Sequence, residues 1–277
     1  MTEKEARAKK EQLIKGIKQL GSLLVAFSGG VDSTFLLAVA HEALGKNVVA
    51  ATATSPTYPS AEREAAAKFT KQRGIQHIVF PSEETNLPAF LSNPPDRCYH
   101  CKKHLSRELL NIAREKGISH VAHAANADDL RDYRPGLKAA EETGIIAPLL
   151  DVGLSKHEIR FLSRRMGLST WDKPAMACLA SRIPYGESIT KKKLSMIEQA
   201  EAFLRQHGLN QVRVRHHGSI ARIEVGEGEI EKISKSSLRA QIVSKFKELG
   251  FLHIALDLEG YVSGSLNREL GEPVKKG

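Results

Sequence analysis

The sequence predicts an α/β protein with a doubly wound parallel sheet and a smaller C-terminal α+β domain. Through the first half of the 277 residues, short apolar runs alternate with helical patterns. Repeated β-then-α order is typical of a parallel sheet with helices on both faces. In the last third, paired strand patterns are enclosed by helical ones, which indicates an α+β unit.

Strands in the first half are predicted where apolar runs are short and bounded by polar or glycine residues. These runs cover 23–27, 48–53, 75–80, 118–124 and 145–150. Helices are predicted over 32–44 and 60–73. Another begins after Ser155, because Ser155 and Glu158 have capping-box spacing and Gly167 suits the end of that helix.

The second half is predicted to contain helices over 191–207 and 229–249 and strands over 211–215, 220–225 and 253–258. Gly218 and Ser219 suit a hairpin turn. Between these elements and the first half of the chain, prolines and glycines interrupt every helical or strand periodicity. We therefore expect a nucleotide domain over 1–170, a functional loop over 171–189 that carries Cys178, and a substrate and oligomerisation domain over 190–277.

The composition excludes several classes of protein. With 41% hydrophobic and 26% charged residues, the chain is not collagen-like, a disordered tail or a disulfide scaffold. The net charge of +9 favours polyanionic partners. No apolar run approaches the roughly 20 residues of a membrane span, and the first residues lack the apolar core of a secretory signal. We expect a cytoplasmic protein with reduced cysteines and no membrane partner.

The segment SGGVDS at 28–33 follows the first predicted strand and opens a helix. Backbone N–H groups at a helix start bind anions, and glycines allow a phosphate to approach closely. Asp32 in this segment would repel a phosphate unless a cation such as Mg²⁺ lies between the two. The candidate nucleotide ligands are Ser28, Gly29, Gly30, Asp32, Ser33 and Thr34.

This segment lacks the Walker pattern and resembles the SGG-x-DS loop of the PP-loop ATP pyrophosphatases, which cleave ATP to AMP and pyrophosphate. Residues 126–129, NADD, follow the fourth predicted strand at the ligand-binding edge of the sheet. They resemble an N-x-x-D element of the same enzymes, which implies that Asn126 and Asp129 contact ATP or its magnesium. A plain turn uses the same residue types.

The three cysteines suggest metal or redox chemistry. Cys98 and Cys101 form a C-x-x-C pair, and Cys178 lies far along the chain. The residues alone leave open zinc with a nearby histidine, an iron–sulfur cluster with one open iron, or a thioredoxin-like redox pair. Asn-Pro-Pro at 93–95 argues against the redox pair, because that motif starts a helix directly after a strand.

Four segments together resemble the LarE family: SGGVDS at 28–33, DYRPGLK at 132–138, CLASRIPYG at 178–186 and VRVR at 212–215. LarE proteins are ATP-dependent pyridinium-3,5-biscarboxylic acid mononucleotide sulfur transferases. The resemblance spans nearly the whole chain. It implies that a substrate carboxylate is adenylylated, that sulfide displaces AMP, and that the product is a precursor of the nickel-pincer nucleotide cofactor.

The resemblance also implies roles for single residues and a homo-oligomer. Some LarE proteins sacrifice one cysteine sulfur, whereas others place three cysteines in a [4Fe–4S] cluster that carries a transferable sulfide, and this chain matches the latter. The implied catalytic residues are Cys178 and Asp32. The implied cluster ligands are Cys98, Cys101 and Cys178, and Glu201 is an implied metal ligand. The implied substrate ligands are Ser181, Arg182, Arg213, Arg215 and Lys102, and Arg134 is implied near ATP.

Three other functions remain at this point. A tRNA thiolation enzyme would also combine this loop with three cysteines, and net positive charge suits RNA. No appended RNA-binding module is recognised, so a nucleic-acid partner is not expected. A synthetase-like amidotransferase would use ammonia and would not need Cys178. A zinc-binding nucleotide module would bind ATP without releasing pyrophosphate.

Overall fold

The computed structural model describes residues 2–131, 135–174 and 177–271. They form two compact units. The first unit comprises Met1–Ser55, Ser60–Glu84 and Asp96–Met176, and the second unit comprises Pro56–Pro59, Thr85–Pro95 and Ala177–Gly277. None of the helices in the described ranges combines the length and apolarity that a membrane crossing requires.

Helices and strands alternate through the first unit, as predicted. The strands in chain order are β1 (Leu23–Ala26), β2 (Val48–Thr54), β3 (Gln76–Pro81), β4 (Val121–Ala122), β5 (Val212–His217), β6 (Ile220–Val225) and β7 (His253–Leu256). The helices are α1 (Glu3–Gln19), α2 (Val31–Leu44), α3 (Ser60–Arg73), α4 (Pro88–Leu91), α5 (Arg97–Glu115), α6 (Pro135–Glu142), α7 (Pro148–Asp151), α8 (Lys156–Arg165), α9 (Lys191–Gln206), α10 (Ile230–Ser234) and α11 (Ser236–Glu248).

The sheet of the first unit has the order β3-β2-β1-β4, and each of its strand pairs is parallel. Apolar side chains cover both of its faces. Leu23 and Val25 pack into one buried cluster with residues of α1, α2 and α8, whereas Leu24 packs into another with Leu109 and Ala140. Alternate residues of a strand point to opposite faces, so β1 is covered from both sides. The predicted α/β class is confirmed.

The second unit contains a three-stranded sheet of order β5-β6-β7. β5 and β6 form the predicted antiparallel hairpin, and Gly218 takes a φ of 59° in the turn between them. β7 lies parallel to β6. The buried cluster on this sheet includes Leu204 of α9, Val214 of β5 and Phe246 of α11. A smaller C-terminal α+β unit is therefore confirmed.

The strand predicted over 145–150 is wrong. Ile146 makes one parallel bridge to Ala122, and Pro148 then begins α7. Proline has no N–H to donate to a strand ladder and is favoured in the first turn of a helix, so pairing ends there. The strand predicted over 118–124 is also shorter than expected, because only Val121–Ala122 pairs as a strand.

One helical prediction also differs from the structure. The helix predicted over 229–249 is divided into α10 and α11, because Lys235 is extended with φ −61° and ψ 135°. Serines flank this break, and serine side chains compete for backbone hydrogen bonds; the hydroxyl of Ser234 donates to the carbonyl of Ile230. The capping box of Ser155 and Glu158 is confirmed at the start of α8.

Candidate active site

The segment 28–33 follows β1 and includes the first turn of α2, at the carboxyl edge of the parallel sheet. Gly29 has a φ of +73°, and a Cβ there would lie 3.3 Å from the carbonyl oxygen of Glu62. Both the backbone conformation and the neighbouring helix α3 therefore favour glycine. The result is a tight loop that leads into a helix start, the arrangement that suits an anion.

Hydroxyl groups stabilise this loop from within. The hydroxyl of Ser33 donates to the carbonyl of Gly30 over 3.3 Å and lies 3.0 Å from the hydroxyl of Ser28. Thr34 is fully buried, and its hydroxyl makes no hydrogen bond within the described ranges. The structure thus places the predicted ligands in one loop, with Thr34 turned into the core.

Two lysines outside the predicted motifs reach the loop. The Nζ of Lys156 lies 2.6 Å from Oδ2 of Asp32. The Nζ of Lys173 donates to the carbonyl of Gly29 over 3.1 Å and lies 2.8 Å from Oε2 of Glu62. The sequence analysis did not identify either lysine.

The second predicted ATP element, 126–129, is a compact turn after β4. The backbone N–H of Asn126 donates to the carboxylate of Asp129, and the N–H of Asp128 donates to the side-chain oxygen of Asn126. The second of these bonds is that of an ordinary Asx turn. The backbone N–H of Lys156 donates to Asp128 over 2.7 Å, so Lys156 contacts both predicted nucleotide segments.

The C-x-x-C pair lies in the first two turns of α5, which the sequence analysis did not predict. Cys98 and Cys101 are three residues apart in this helix, so their side chains share a face. The motif does start a helix, but what precedes it in the chain is α4 and not a strand, so the placement that a thioredoxin-like redox pair requires is only half met. A Cβ on Gly136 would lie 3.5 Å from the carbonyl oxygen of Cys98, so α6 packs closely on this turn.

Lys102, a predicted substrate ligand, follows Cys101 on α5. Burial lowers the pKa of Lys102, and the adjacent Cys101 opposes that shift. His123 comes directly after β4 and is buried. Burial, aided by the charge of Lys102, lowers the pKa of His123 to about 4, so His123 is neutral at neutral pH.

In the second unit, Cys178 begins a 3₁₀ turn that extends over Leu179–Arg182. The hydroxyl of Ser181 donates to the carbonyl of Cys178 over 2.7 Å. Nη1 of Arg182 donates to the same carbonyl over 3.0 Å and to the Ser181 hydroxyl over 2.9 Å. Nη1 of Arg215 donates to the carbonyl of Ser181 over 2.7 Å. The structure therefore brings three predicted substrate ligands together in and beside the turn that begins at Cys178.

Arg213 and Arg215 alternate along β5 and are both buried. Arg215 forms a two-pronged ion pair with the buried carboxylate of Glu224, with distances of 2.9 and 2.8 Å. Burial and the nearby Arg182 lower the pKa of Arg213 to about 10, so it remains cationic at neutral pH. The guanidinium of Arg213 lies 5.1 Å from the centre of the Tyr261 ring.

Glu201 of α9 is fully buried between arginines. Its two oxygens accept hydrogen bonds from Arg182 over 2.8 and 3.1 Å, and Arg205 and the backbone N–H of Val214 also donate to it. Burial alone would raise the pKa of Glu201, but the charges of Arg182 and Arg205 outweigh this and hold the pKa below its usual range. A metal would have to displace these donors, and the metal role remains a prediction.

We expect Glu201→Gln to lower the free energy of unfolding by about 3–5 kcal/mol, because it leaves the buried charge of Arg182 uncompensated. Urea unfolding measures this loss. In the wild type, this stabilisation is complete above the ordinary carboxyl pKa and is lost as the pH falls through the lowered pKa of Glu201. The control is Glu248→Gln, which removes an exposed pair with Lys245 and should change stability by under about 1 kcal/mol. Equal losses in the two variants would contradict the argument.

Arg134 lies outside the described residues, as do the other residues of 132–134. No sequence motif marks Lys156 or Lys173 as part of this site. Lys156 is the first residue of a capped helix, and Lys173 precedes a proline. Their contacts join residues 124 and 144 positions apart, so only the tertiary fold identifies them.

The chain is similar to one protein family and to several individual proteins. The family model described as asparagine synthase matches residues 10–101. An uncharacterised protein of Synechocystis is 44% identical over 95% of this chain and 98% of its own length. The pyridinium-3,5-bisthiocarboxylic acid mononucleotide synthase of Lactiplantibacillus plantarum is 35% identical over 95% of both proteins. An uncharacterised protein of Methanocaldococcus jannaschii is 30% identical over 87% of this chain and 91% of its own length.

Proposed function

The chain belongs to the LarE family, and from this premise we propose that it uses ATP to replace a carboxylate oxygen of pyridinium-3,5-biscarboxylic acid mononucleotide by sulfur. The thiocarboxylate product is a precursor of the nickel-pincer nucleotide cofactor. The observation that carries the proposal is the turn at Cys178, where Ser181 and Arg182 bond the carbonyl of Cys178 and Arg215 bonds the carbonyl of Ser181. A phosphorylated substrate needs such hydroxyl and guanidinium donors close to the sulfur.

The first step takes place at the loop 28–33. The N–H groups at the start of α2 bind phosphate oxygens, and Asp32 holds the Mg²⁺ that accompanies ATP. A carboxylate oxygen of the substrate attacks the α-phosphorus, and the bond from that phosphorus to the bridging oxygen breaks. Pyrophosphate leaves with the electron pair. The resulting acyl adenylate has AMP as a good leaving group, which a free carboxylate lacks.

The second step replaces AMP by sulfur. The side chains of Ser181, Arg213 and Arg215 bind the phosphate of the substrate, and Lys102 and Arg182 assist. Sulfur attacks the acyl carbon, and the carbon–oxygen bond to AMP breaks. For this arrangement, Arg215 must exchange part of its ion pair with Glu224 for a phosphate oxygen. A guanidinium binds phosphate in the same two-pronged way as a carboxylate, and Arg222 also pairs with Glu224.

The thiols of this chain fit an iron–sulfur cluster by their chemistry. None of the three cysteines forms a disulfide, and Cys98 and Cys101 share one face of α5. A [4Fe–4S] cluster held by Cys98, Cys101 and Cys178 would supply an iron that lacks a cysteine ligand, at which sulfide can be delivered. Thiolates are also good zinc ligands, so the metal must be measured.

We test the proposal by measuring iron, zinc and acid-labile sulfide after oxygen-free purification. About four irons with matching sulfide per chain are expected from a three-thiolate cluster. The same preparation, given ATP, Mg²⁺, sulfide and the pyridinium substrate, should release pyrophosphate and yield a product in which sulfur replaces oxygen by mass spectrometry.

Three other results would contradict or change this proposal. Zinc without sulfide would contradict the cluster. Thiolation of tRNA in place of the mononucleotide, with steep salt dependence, would favour an RNA-modifying enzyme instead. If no metal is found, dehydroalanine at Cys178 after turnover would indicate that the cysteine sulfur itself is consumed.

A further inference from the structure

Lys156 is positioned at the meeting point of the two predicted nucleotide segments. Its backbone N–H donates to Asp128, and its Nζ lies 2.6 Å from Oδ2 of Asp32. The other oxygen of Asp32, Oδ1, is buried and makes no hydrogen bond within the described ranges. About a third of the Lys156 side chain is exposed, at 32%. The amine is therefore held at the loop by one carboxylate oxygen, and the side chain that carries it is partly exposed.

Lys173 reaches the same loop from the other direction. Its Nζ bonds the carbonyl of Gly29 and the carboxylate of Glu62. The backbone that carries it is fixed by α8, because Arg160 donates to the carbonyls of Trp171 and Lys173 over 2.8 Å each. Helix α8 thus positions both lysines. Lys156 is its first residue, and the backbone of Lys173 is held by the hydrogen bonds of Arg160.

The loop needs more positive charge than its backbone supplies. A helix start carries about half a positive charge, whereas the triphosphate of ATP carries several negative charges. We propose that Lys156 and Lys173 are the two cations that bind the β- and γ-phosphates of ATP and then the departing pyrophosphate. The carboxylates of Asp32 and Glu62 hold the two amines in place until nucleotide arrives. This inference rests on the proposed function.

The role follows from the chemistry of the adenylylation step. When the bond from the α-phosphorus to the bridging oxygen breaks, that oxygen takes the electron pair and becomes part of pyrophosphate. Ammonium groups that donate hydrogen bonds to pyrophosphate oxygens stabilise this growing charge. No proton has to move, because the amines act as hydrogen-bond donors and not as acids. With the carboxylate of Asp32 holding Mg²⁺, the amine of Lys156 would be free to bond a phosphate oxygen.

The test compares binding of inorganic pyrophosphate with Mg²⁺ and binding of AMP by calorimetry. Lys156→Met and Lys173→Met should each weaken pyrophosphate binding by about 10- to 100-fold, the worth of one hydrogen bond between charged groups. AMP binding should change by less than about twofold, since AMP lacks the β- and γ-phosphates. Lys9→Met is the matched control. Lys9 lies on α1 and pairs with Glu158 of α8 over 2.8 Å, but it does not reach the loop.

Glu62→Gln separates a phosphate ligand from a structural brace. If Lys173 binds phosphate, this variant should bind pyrophosphate at least as tightly as the wild type, because the amine loses its competing carboxylate. A loss equal to that of Lys173→Met would mean that the lysine only braces the loop, and would overturn the inference. Equal losses of AMP and pyrophosphate in the lysine variants would overturn it as well.

The wild type distinguishes this inference from the proposed function. If the wild type binds neither ATP nor pyrophosphate, the proposed function itself fails. If the wild type binds both and the two methionine variants bind pyrophosphate within about twofold of it, the inference fails and the proposed function stands.

Discussion

Cys178→Ala is expected to abolish transfer of sulfur to the pyridinium substrate, by at least about 1000-fold, because alanine offers neither a nucleophile nor a metal ligand. The turn itself should persist. Ser181 and Arg182 bond the carbonyl of Cys178 and not its thiol, and alanine keeps that carbonyl. ATP binding and formation of the acyl adenylate should therefore continue. The measurement is product mass together with pyrophosphate release from one reaction.

Cys98→Ala and Cys101→Ala decide how Cys178 acts. If the three thiols act together, each single variant loses sulfur transfer and also loses iron. If only Cys178→Ala loses transfer, the sulfur comes from that residue alone, and a mass change at position 178 should follow each turnover. Unchanged transfer by Cys178→Ala would show that the proposed sulfur chemistry is wrong.

The parallel order of the first unit could be predicted because local signals and tertiary packing agree there. Leu23, Leu24 and Val25 form a continuous apolar run, and such a run is required of a central strand that is covered on both faces. Gly218 similarly marks the hairpin, because the turn requires a positive φ. Each of these signals has a local physical cause, so it is readable without coordinates.

Helix α5 was missed although its signal was present. Ser106, Leu109 and Ala113 are buried at helical spacing along it. No helix is predicted there from the sequence, although only the prolines just before the helix interrupt the pattern. The strand predicted over 145–150 shows the opposite error, because its apolar residues fit a strand but Pro148 begins a helix. Prolines just before or within the segment account for both errors.

The charged part of the site was less predictable than its loops. Alternation of Val212, Arg213, Val214 and Arg215 resembles an ordinary half-exposed strand, yet both arginines are buried against carboxylates from β6 and α9. Burial of a charge depends on which partner the fold brings to it. Neither the ion pair of Arg182 with Glu201 nor the lysines at the phosphate loop could be inferred from spacing along the chain.

Asp32→Asn is expected to lower formation of the acyl adenylate by at least about 100-fold, because a neutral amide is a poor ligand for Mg²⁺ and metal stabilisation of phosphoryl charge is lost. The substitution is matched in shape, and the amide oxygen can still accept a hydrogen bond from Lys156. The measurement is pyrophosphate release with the pyridinium substrate over a range of Mg²⁺ concentrations. Raising Mg²⁺ should recover part of the loss, because the weakened site is the metal site.

Glu42→Gln is the matched control for that experiment. Glu42 lies on the same helix α2 and pairs with Lys10 over 3.0 Å, but its side chain is 51% exposed and remote from the loop. It should release pyrophosphate at the wild-type rate. A loss confined to Asp32→Asn would therefore report on the site and not on the stability of α2. Normal pyrophosphate release by Asp32→Asn would contradict the assignment of Asp32 as the Mg²⁺ ligand, and the metal-binding carboxylate would then have to come from outside the segment 28–33, which holds no other one.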